Sequence, residues 1–383
     1  MKIAVVHSFY NQDVPSGENS AVNSQVAALM RSGHKVKLIS LQTGAGPQST
    51  YFNLRAALRV AFGRGSNPLS EIRRFRPDLV HVHNLFPNFS TNWLSKVKAP
   101  VIVSIHNYRY LCAAGTFFVR NRPCFSCLEA GNSRPSLAKK CYRGSFLATL
   151  PLALANRNLG VSGSISDYAT KILVLTQEAK GIFVKAGWPS DRLQVVPNFI
   201  DTPSFTKHED KEIDLYRDSW VYVGRLSSEK GILELLNEWP ESESLSIIGD
   251  GPLLTQVEKL IGGKTNIVFL GKLPRDEILE ILRRAKGMIF PSLWLEGLPL
   301  VFLEALSVGC PTIAKTSNVV SHLVSKYDVG EVYSKGTELI EALNRVGENS
   351  AEMKMRSLEL YRTEFTEHAW ISRMNEIYQR AIS

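Results

Sequence analysis

At 383 residues the chain is too long for one ordinary hydrophobic core and fits two domains, each able to bury its own. Residues 1–200 carry 24 Lys and Arg against 8 Asp and Glu, and residues 201–383 carry 21 against 28, so a formal charge of +9 combines a basic half with an acidic half. The basic half suits nucleic acid, an anionic membrane or an acidic substrate, and charge alone does not choose among them.

The first predicted element is a strand at the start of the chain. MKIAVVHSFY has no basic segment followed by a long apolar one, so we expect no secretory signal and a cytoplasmic protein. The longest nearly apolar run, Phe146–Ala155, is about half of the ~20 residues that a membrane-spanning helix needs. No transmembrane segment is expected.

Short apolar strands alternate with longer helical segments through the first half. This alternation indicates a parallel sheet, whose ligands bind at the carboxyl ends of the strands. The predicted strands are Lys2–His7, Val36–Leu41, Leu79–His83, Val101–Ile105, Ile172–Leu175 and Gln194–Val196.

His106 and Arg109 directly follow one of these strands and are candidates for a ligand site. An imidazole there can hold or orient hydroxyl groups, and a guanidinium can hold a phosphate. The alternative for His106 is a structural histidine that caps the loop. His81 and His83 occupy alternate positions of the preceding strand, and we assign them no chemistry.

Four of the five cysteines, Cys112, Cys124, Cys127 and Cys141, lie close together in the chain. Clustered thiols without a secretory signal argue against a disulfide framework, and four thiolates are the number that a structural zinc ion needs. The alternative is four reduced thiols, some of them buried as small apolar groups. Catalysis depends on neither.

Lys139, Lys140 and Arg143 lie just before the apolar run Phe146–Ala155. A cationic segment beside exposed apolar residues suits an anionic membrane surface and predicts peripheral association. The alternative is an amphipathic helix packed on the sheet with solvated lysines.

The strand and helix alternation restarts after a polar linker at Pro197–Asp218. We therefore expect a second doubly wound domain. Its predicted strands are Trp220–Val223, Leu245–Ile248, Ile267–Leu270, Met288–Phe290 and Thr312–Ala314, with helices at Arg275–Ala285 and Pro299–Val308.

Three motifs in the second half predict a site for an activated sugar. Val223–Gly231 is a strand that ends in a glycine turn with two cations, Arg225 and Lys230, which suit the growing charge of a departing diphosphate. Taken alone, both cations are equally well explained as surface charges in a loop.

The second motif, Glu296–Leu306, places Glu296 just before a helix and Glu304 within it. Because this helix is apolar nearly all round, Glu304 must find hydrogen-bond donors, and ribose hydroxyls are suitable. The amides that open the helix suit phosphate or sugar oxygens. The alternative for Glu296 is a helix cap with a structural salt bridge.

The third motif, Ile247–Pro252, is a strand followed by a tight glycine turn, which lets a ligand or a neighbouring loop approach the backbone. In this order and spacing the three motifs resemble the donor domain of glycosyltransferase family 4, including its pair of glutamates seven residues apart. Val195–Asp201 is similar to the interdomain segment of that family, and Ser16–Asn19 to its N-terminal glycine loop.

The resemblance implies a GT-B fold, in which two Rossmann-like doubly wound α/β domains face each other across a cleft. Residues 1–200 would bind the acceptor, residues 201–365 the nucleotide sugar, and the helix 366–383 would cross back to the first domain. Trp370, Met374, Ile377 and Tyr378 lie on one face of that helix.

The resemblance also implies a retaining hexosyltransferase that uses a UDP- or GDP-sugar, needs no catalytic metal, and modifies a glycan or lipid-linked acceptor in surface polysaccharide synthesis. His106, Arg225, Lys230 and Glu296 are the expected catalytic residues, and Ser16, Gly17, His106 and Arg109 the expected acceptor contacts. The expected donor contacts are Gly17, Gly224, Arg225, Lys230, Gly249, Asp250, Gly251, Glu296, Gly297, Leu298, Pro299, Leu300 and Glu304.

Two positions depart from the family pattern. Ser16 stands where a glycine is common, and Asn107 stands where a related subset has aspartate in a His-Asp-Tyr-Arg segment.

Two other classes of protein compete with the prediction of a glycosyltransferase. A non-enzymatic nucleic-acid binder would explain the basic half but lacks a recognition motif. A dinucleotide-dependent oxidoreductase is disfavoured because no G-x-G-x-x-G segment follows the first strand.

Overall fold

The computed structural model describes residues 1–10, 16–43, 59–62, 65–161, 165–203, 219–316 and 318–383. The chain divides into two compact units: Met1–Val119 with Cys124–Asn198 and Glu367–Ser383 form the first, and Arg120–Pro123 with Phe199–Thr366 form the second. Residues 204–218 of the expected linker lie outside the described residues.

Parallel six-stranded sheets form the centre of each unit. Their strands have nearly continuous apolar sequences because helices cover the sheets, and β3 and β4 are buried along their whole length. The strands are β1 Lys2–Phe9, β2 Lys35–Gln42, β3 Leu79–Val82, β4 Val101–Ile105, β5 Phe118–Val119, β6 Arg122–Pro123, β7 Lys171–Val174, β8 Leu193–Val195, β9 Ser219–Val223, β10 Ser244–Ile248, β11 Ile267–Gly271, β12 Gly287–Phe290, β13 Thr312–Lys315 and β14 Gly330–Tyr333.

The order of the first sheet is β2-β1-β3-β4-β7-β8 and that of the second is β11-β10-β9-β12-β13-β14. Every strand predicted from the sequence is present, and its ends agree with the prediction to within two residues. The sequence prediction missed β14 and the short hairpin of β5 and β6. β14 was missed because it is only four residues long and has the sequence Gly-Glu-Val-Tyr, too little for a periodic pattern.

Helices follow most strands, as doubly wound sheets require. The helices are α1 Gly17–Arg31, α2 Leu69–Phe75, α3 Ser126–Glu129, α4 Arg134–Ala138, α5 Phe146–Ala155, α6 Ile165–Tyr168, α7 Gln177–Lys185, α8 Ile232–Glu238, α9 Leu254–Ile261, α10 Arg275–Arg284, α11 Leu300–Ser307, α12 Val319–Tyr327, α13 Gly336–Glu364 and α14 Glu367–Ile382.

The last helix, α14, packs within the first unit. Its apolar face is buried through Trp370, Met374, Ile377 and Tyr378. The Tyr378 hydroxyl lies 2.7 Å from Nδ1 of His81 in β3. The end of the chain therefore contributes directly to the core beneath the first sheet.

Candidate active site

The order of the second sheet changes direction between β9 and β12. β10 and β11 lie on one side of β9, and β12, β13 and β14 lie on the other. Open parallel sheets bind ligands at such a point, outside the carboxyl ends of the strands. Gly224 and Arg225 directly follow β9, and the loop that contains Glu296 follows β12. Two of the three predicted motifs therefore meet at the expected edge of the sheet.

Lys230 and Glu296 form an ion pair at this edge. The Lys230 Nζ lies 2.7 Å from the Glu296 Oε1, and the two side chains are only 20% and 9% exposed. The Ser292 hydroxyl donates to the same oxygen at 2.7 Å. The Trp294 ring lies 5.5 Å from Nζ, and its indole Nε1 is buried without a hydrogen-bond partner in the described chain. The Lys230 ammonium, the Glu296 carboxylate and the unpaired indole N–H of Trp294 thus lie close together at this edge of the sheet.

Backbone contacts hold the loops after β9 and β12 together. Gly231 has φ +69°, and a β carbon there would lie 2.1 Å from the Pro291 carbonyl oxygen, so only glycine fits. The Leu293 N–H donates to the Glu229 carbonyl at 2.9 Å. The Asn318 side chain donates to the Ser292 carbonyl at 3.0 Å and so holds the loop after β12 in place. The position of Lys230 is therefore fixed by its backbone.

Arg225 is exposed immediately after β9. The Tyr222 hydroxyl donates to its backbone carbonyl at 2.9 Å, which fixes the turn while the guanidinium faces solvent. The structure brings Lys230 and Glu296 together but places Arg225 in a different, open environment.

Gly249 and Gly251 contact the loop after β9. A β carbon on Gly249 would lie 1.9 Å from the Gly224 carbonyl oxygen, and one on Gly251 would lie 2.5 Å from that of Leu226. The Leu226 N–H also donates to the Asp250 carbonyl at 2.9 Å. Of the two explanations for this glycine turn, approach of a neighbouring loop is the one observed. The donor contacts expected of these residues stay a prediction.

Glu304 lies on α11, which begins at Leu300 with Pro299 as its N-cap, so the helix starts one position later than predicted. The Arg275 Nε, at the start of α10, donates to the Glu304 Oε1 at 2.7 Å. Burial raises the pKa of Glu304, and the Arg275 guanidinium limits the rise. The hydrogen-bond donor that the buried Glu304 carboxylate requires is thus supplied by Arg275. Gly297 and Leu298 lie between Glu296 and the N-cap of this helix.

Sequence reasoning missed Ser292, Trp294, Arg275 and Asn318. Ser292 and Trp294 lie in the loop just before Glu296, so a search of that loop for polar and aromatic side chains would have found them. Arg275 and Asn318 begin other elements, α10 and the cap of α12. No spacing along the chain points to their contacts.

In the first unit, buried histidines line the carboxyl ends of β3 and β4. The His83 Nδ1 and the His106 Nε2 lie 3.0 Å apart, with stacked rings. Burial, reinforced by the other imidazoles, lowers the pKa of His106 to about 3 and that of His83 well below its usual value. Both rings are therefore neutral at pH 7. His81 is a core residue between Tyr378 and Ser104, and His83 orients His106, a role that the sequence did not reveal.

His106 and Arg109 both line a cavity of about 120 Å³ in the first unit. The Arg109 guanidinium stacks over the Phe86 ring at 4.4 Å from its centroid. Glu18 and Asn107 line the same cavity, and Asn107 donates to the Glu18 Oε2 at 2.9 Å. The two predicted acceptor residues therefore share one cavity, whose other walls are largely apolar, with two polar residues that had no predicted role.

Ser16 and Gly17 open α1. The Ser16 hydroxyl accepts from the Asn19 N–H at 3.3 Å and caps the helix, and Gly17 is exposed as its first residue. Asn19 also accepts from the Tyr10 N–H, which joins the helix to the end of β1. Helix capping accounts for Ser16, and acceptor contacts by Ser16 and Gly17 stay a prediction.

The four clustered cysteines are free thiols, Cys112 and Cys127 buried and Cys124 and Cys141 half-buried. The Lys139 Nζ donates to the Cys124 Sγ at 3.3 Å and to the Ser126 hydroxyl at 2.6 Å. Within the described residues, no three His, Cys, Asp or Glu side chains form an arrangement ready for a metal ion. The structural zinc ion stays a prediction without geometric support.

Two family models match the chain. The model described as Glycosyltransferase Family 4 matches residues 16–203, and the one described as Glycosyl transferases group 1 matches residues 204–359. Together they leave only the two ends of the chain unmatched. The chain therefore belongs to glycosyltransferase family 4. Of the three classes left open by the sequence, this is the one confirmed.

Similar proteins include an uncharacterized glycosyltransferase of Methanocaldococcus jannaschii, MJ1059, 27% identical over 64% of this chain and 57% of that protein. The UDP-Gal:alpha-D-GlcNAc-diphosphoundecaprenol alpha-1,3-galactosyltransferase of Escherichia coli is 32% identical over 39% of this chain and 43% of that protein. The matches thus span about half the length of these relatives.

A solved structure extends the likeness over nearly the whole chain. Anabaena Alr3699/HepE in complex with UDP-glucose has a TM-score of 0.63 and 15% identity, covering 99% of this chain and 100% of that one. With so low a sequence identity, this likeness is evidence for the fold alone. The structural similarity confirms the predicted GT-B fold. No helix in the described part of the chain is both long enough and apolar enough to cross a bilayer.

Proposed function

We propose that the protein is a retaining glycosyltransferase that moves a sugar from a UDP- or GDP-sugar to a hydroxyl acceptor without a catalytic metal. One observation carries the proposal. Lys230 and Glu296, 66 positions apart in the chain, lie 2.7 Å apart where the order of the second sheet changes direction. A cation for a diphosphate and a carboxylate for sugar hydroxyls are thereby paired at the edge where such sheets bind ligands.

Lys230 and Arg225 would stabilise the diphosphate as the glycosidic bond breaks, because its negative charge grows toward the transition state. Glu296 would hold hydroxyls of the transferred sugar, and Glu304 would accept hydrogen bonds from the ribose hydroxyls in place of the one that Arg275 donates in the free protein. In a front-face mechanism the leaving phosphate oxygen takes the proton of the acceptor hydroxyl as the new bond forms on the same face. No carboxylate then needs to act as a nucleophile.

The test is turnover with a panel of UDP- and GDP-sugars, followed through release of the nucleotide diphosphate. Proton NMR of the product gives its anomeric configuration, and assays with and without EDTA test metal independence. An inverted product contradicts retention, loss of turnover with EDTA contradicts metal independence, and no turnover with the whole panel contradicts the proposal.

For the acceptor we propose a lipid-linked glycan, as named for the Escherichia coli relative. The outer face of α5 supports an anionic membrane as the place of reaction. Leu147 is 77% exposed, Phe146 47% and Leu154 44%. Leu147 and Leu154 lie seven positions apart and share one face of the helix. The opposite face, with Thr149 and Leu152, is buried.

Cations flank this apolar face. Lys140, Arg143 and Arg157 are all exposed. Lys139 differs, because its ammonium is held by Cys124 and Ser126. Exposed leucines beside cations match a surface of apolar chains beneath anionic headgroups. The inner side of α5 reaches the cavity of His106 through Leu152, so one helix joins the proposed membrane face to the proposed acceptor site.

Liposome co-sedimentation tests this face. We expect recovery with anionic vesicles, less recovery at high salt, and loss in a variant with Lys140, Arg143 and Arg157 changed to alanine and in Leu147→Ser. Exposed Lys96 and Lys98 serve as the matched control pair. Equal recovery with neutral vesicles contradicts the anionic surface, and equal recovery without vesicles contradicts membrane association, as does concentration-dependent dimerisation that is lost in Leu147→Ser.

A further inference from the structure

The cavity of the first unit contains more polar groups than the acceptor prediction used. The Glu18 Oε1, the His106 Nδ1 and the Arg109 Nε and Nη1 are buried and lack a hydrogen-bond partner in the described part of the chain. All three residues line the same cavity. Buried polar atoms in folded proteins are almost always paired, so several unpaired ones around one cavity point to a bound polar group.

Hydrogen bonds within the protein orient Glu18 so that one of its carboxylate oxygens is available to a polar group in the cavity. It lies in the first turn of α1, and its Oε2 accepts from the Asn107 Nδ2 at 2.9 Å. Asn107 is itself fixed, because its Oδ1 accepts from the Arg109 N–H at 3.0 Å. One carboxylate oxygen is therefore committed to the protein, and the other, Oε1, remains for a ligand.

We propose that Glu18 is an acceptor-binding residue whose Oε1 accepts a hydrogen bond from a sugar hydroxyl seated in this cavity. This inference rests on the proposed function. A carboxylate repels phosphate, so Glu18 selects the hydroxyl-bearing part of the acceptor while Arg109 selects an anionic part. An acceptor that carries both groups, such as a sugar diphosphate, satisfies the two side chains together.

The charge of Glu18 changes near neutral pH. Burial raises the pKa of Glu18 to about 7, against the hydrogen bond from Asn107 and the charge of Arg109. Burial and the charge of Glu18 raise the pKa of the neighbouring Tyr10 and Tyr110, and burial lowers the pKa of His83 and His106, so none of these four groups titrates between pH 6 and 8. The other charged groups that line the cavity are Arg59 and Arg109. Ionised Glu18 accepts a hydrogen bond at Oε1, so acceptor affinity rises as pH increases through about 7.

The test is Glu18→Gln, which keeps the shape and removes the charge. Asn107 must then pair with the oxygen of the substituted amide, so an NH₂ group replaces the accepting oxygen in the cavity. Losing a hydrogen bond to a charged group predicts a roughly ten- to hundredfold rise in acceptor KM with little change in donor KM. The pH dependence of acceptor KM near pH 7 should disappear.

The assay uses the donor of the UDP- and GDP-sugar panel that supports turnover, with an N-acetylglucosaminyl diphosphate that carries an undecyl chain in place of the undecaprenol named for the Escherichia coli relative. Glu178→Gln is the matched control, since the Glu178 Oε2 is also buried and unpaired but lies outside the cavity. No turnover by the unmodified protein with any donor of the panel contradicts the proposed function. Turnover with an acceptor KM and pH profile unchanged in Glu18→Gln overturns only the assignment of Glu18.

Asn107→Asp provides a second variant that keeps Glu18. It places a like charge against the Glu18 carboxylate and removes a donor, both of which raise the pKa of Glu18. The rise in acceptor affinity should therefore move to higher pH, by about one unit or more. A profile that stays in place contradicts the link between Glu18 and the acceptor.

Discussion

Replacing Lys230 by alanine should affect both stability and turnover, for different reasons. Lys230 and Glu296 are 20% and 9% exposed, so the variant leaves a nearly buried carboxylate without its cation. Breaking a fully buried pair costs about 3–5 kcal/mol. Because Lys230 keeps some solvent contact and Ser292 still donates to Glu296, we expect a loss of about 2–3 kcal/mol in the free energy of unfolding. Turnover should fall about a hundredfold or more, as lost leaving-group stabilisation predicts.

A second substitution separates the two effects. Adding Glu296→Gln to Lys230→Ala removes the uncompensated charge while Ser292 can still donate to the new amide oxygen. Most of the lost free energy of unfolding should return, because a neutral amide costs much less to bury than a carboxylate. Turnover should not return, since neither the cation nor the carboxylate is restored.

Urea unfolding followed by circular dichroism measures the first effect, and release of nucleotide diphosphate measures the second. Lys286→Ala is the matched control: its ammonium lies 3.0 Å from the Glu243 carboxylate, but the side chains are 37% and 24% exposed. A pair this open should contribute below about 1 kcal/mol, and its loss should leave turnover unchanged. Full stability in Lys230→Ala, or no recovery in the double variant, would refute the argument from burial.

Three further predictions concern neighbouring sites. Arg225→Ala should cut turnover about a hundredfold while the free energy of unfolding changes by less than about 0.5 kcal/mol, because the side chain is exposed; near-normal turnover removes its diphosphate role. Glu304→Ala should weaken donor binding in calorimetry, whereas Arg275→Ala should not, since the arginine competes with ribose for that carboxylate; an unchanged dissociation constant in Glu304→Ala contradicts the ribose role. Metal analysis of the purified protein decides between the two explanations of the cysteines of Cys112–Cys141: about one zinc ion per chain supports the structural zinc site, and only traces refute it.

Local patterns made most of the fold predictable. Val101–Ile105 was predicted to the residue because its apolar side chains are nearly continuous and polar residues follow it. The helix after Glu296 was predicted from Pro299 and Gly309, which mark its two ends. Each of these signals depends on residues within a few positions of one another, so one sequence is enough to detect them.

The contacts that define the candidate site were less accessible. The motif around Lys230 and the motif with Glu296 were both recognised, but nothing in their spacing indicates that the two side chains pair across neighbouring strands. The same is true of Glu304 with Arg275. Glu18 lies inside the recognised glycine loop, yet its role depends on Asn107, which is 89 positions away in the chain. Burial and partners of a charged side chain are properties of the folded state.

The proposed function gives the two ion pairs of the second unit a common physical reason. A carboxylate that serves sugar or ribose hydroxyls must lie in a partly buried site, where it is costly as long as no ligand is bound. Lys230 and Arg275 reduce that cost in the free protein, so the site remains folded before the donor arrives. The pairing also limits how tightly Lys230 can hold a nucleotide diphosphate, because Glu296 repels the same anion. Turnover requires this product to leave, and it carries more negative charge than the donor did. A site of cations alone would bind the product more strongly than the substrate, whereas a cation beside a carboxylate moderates the difference.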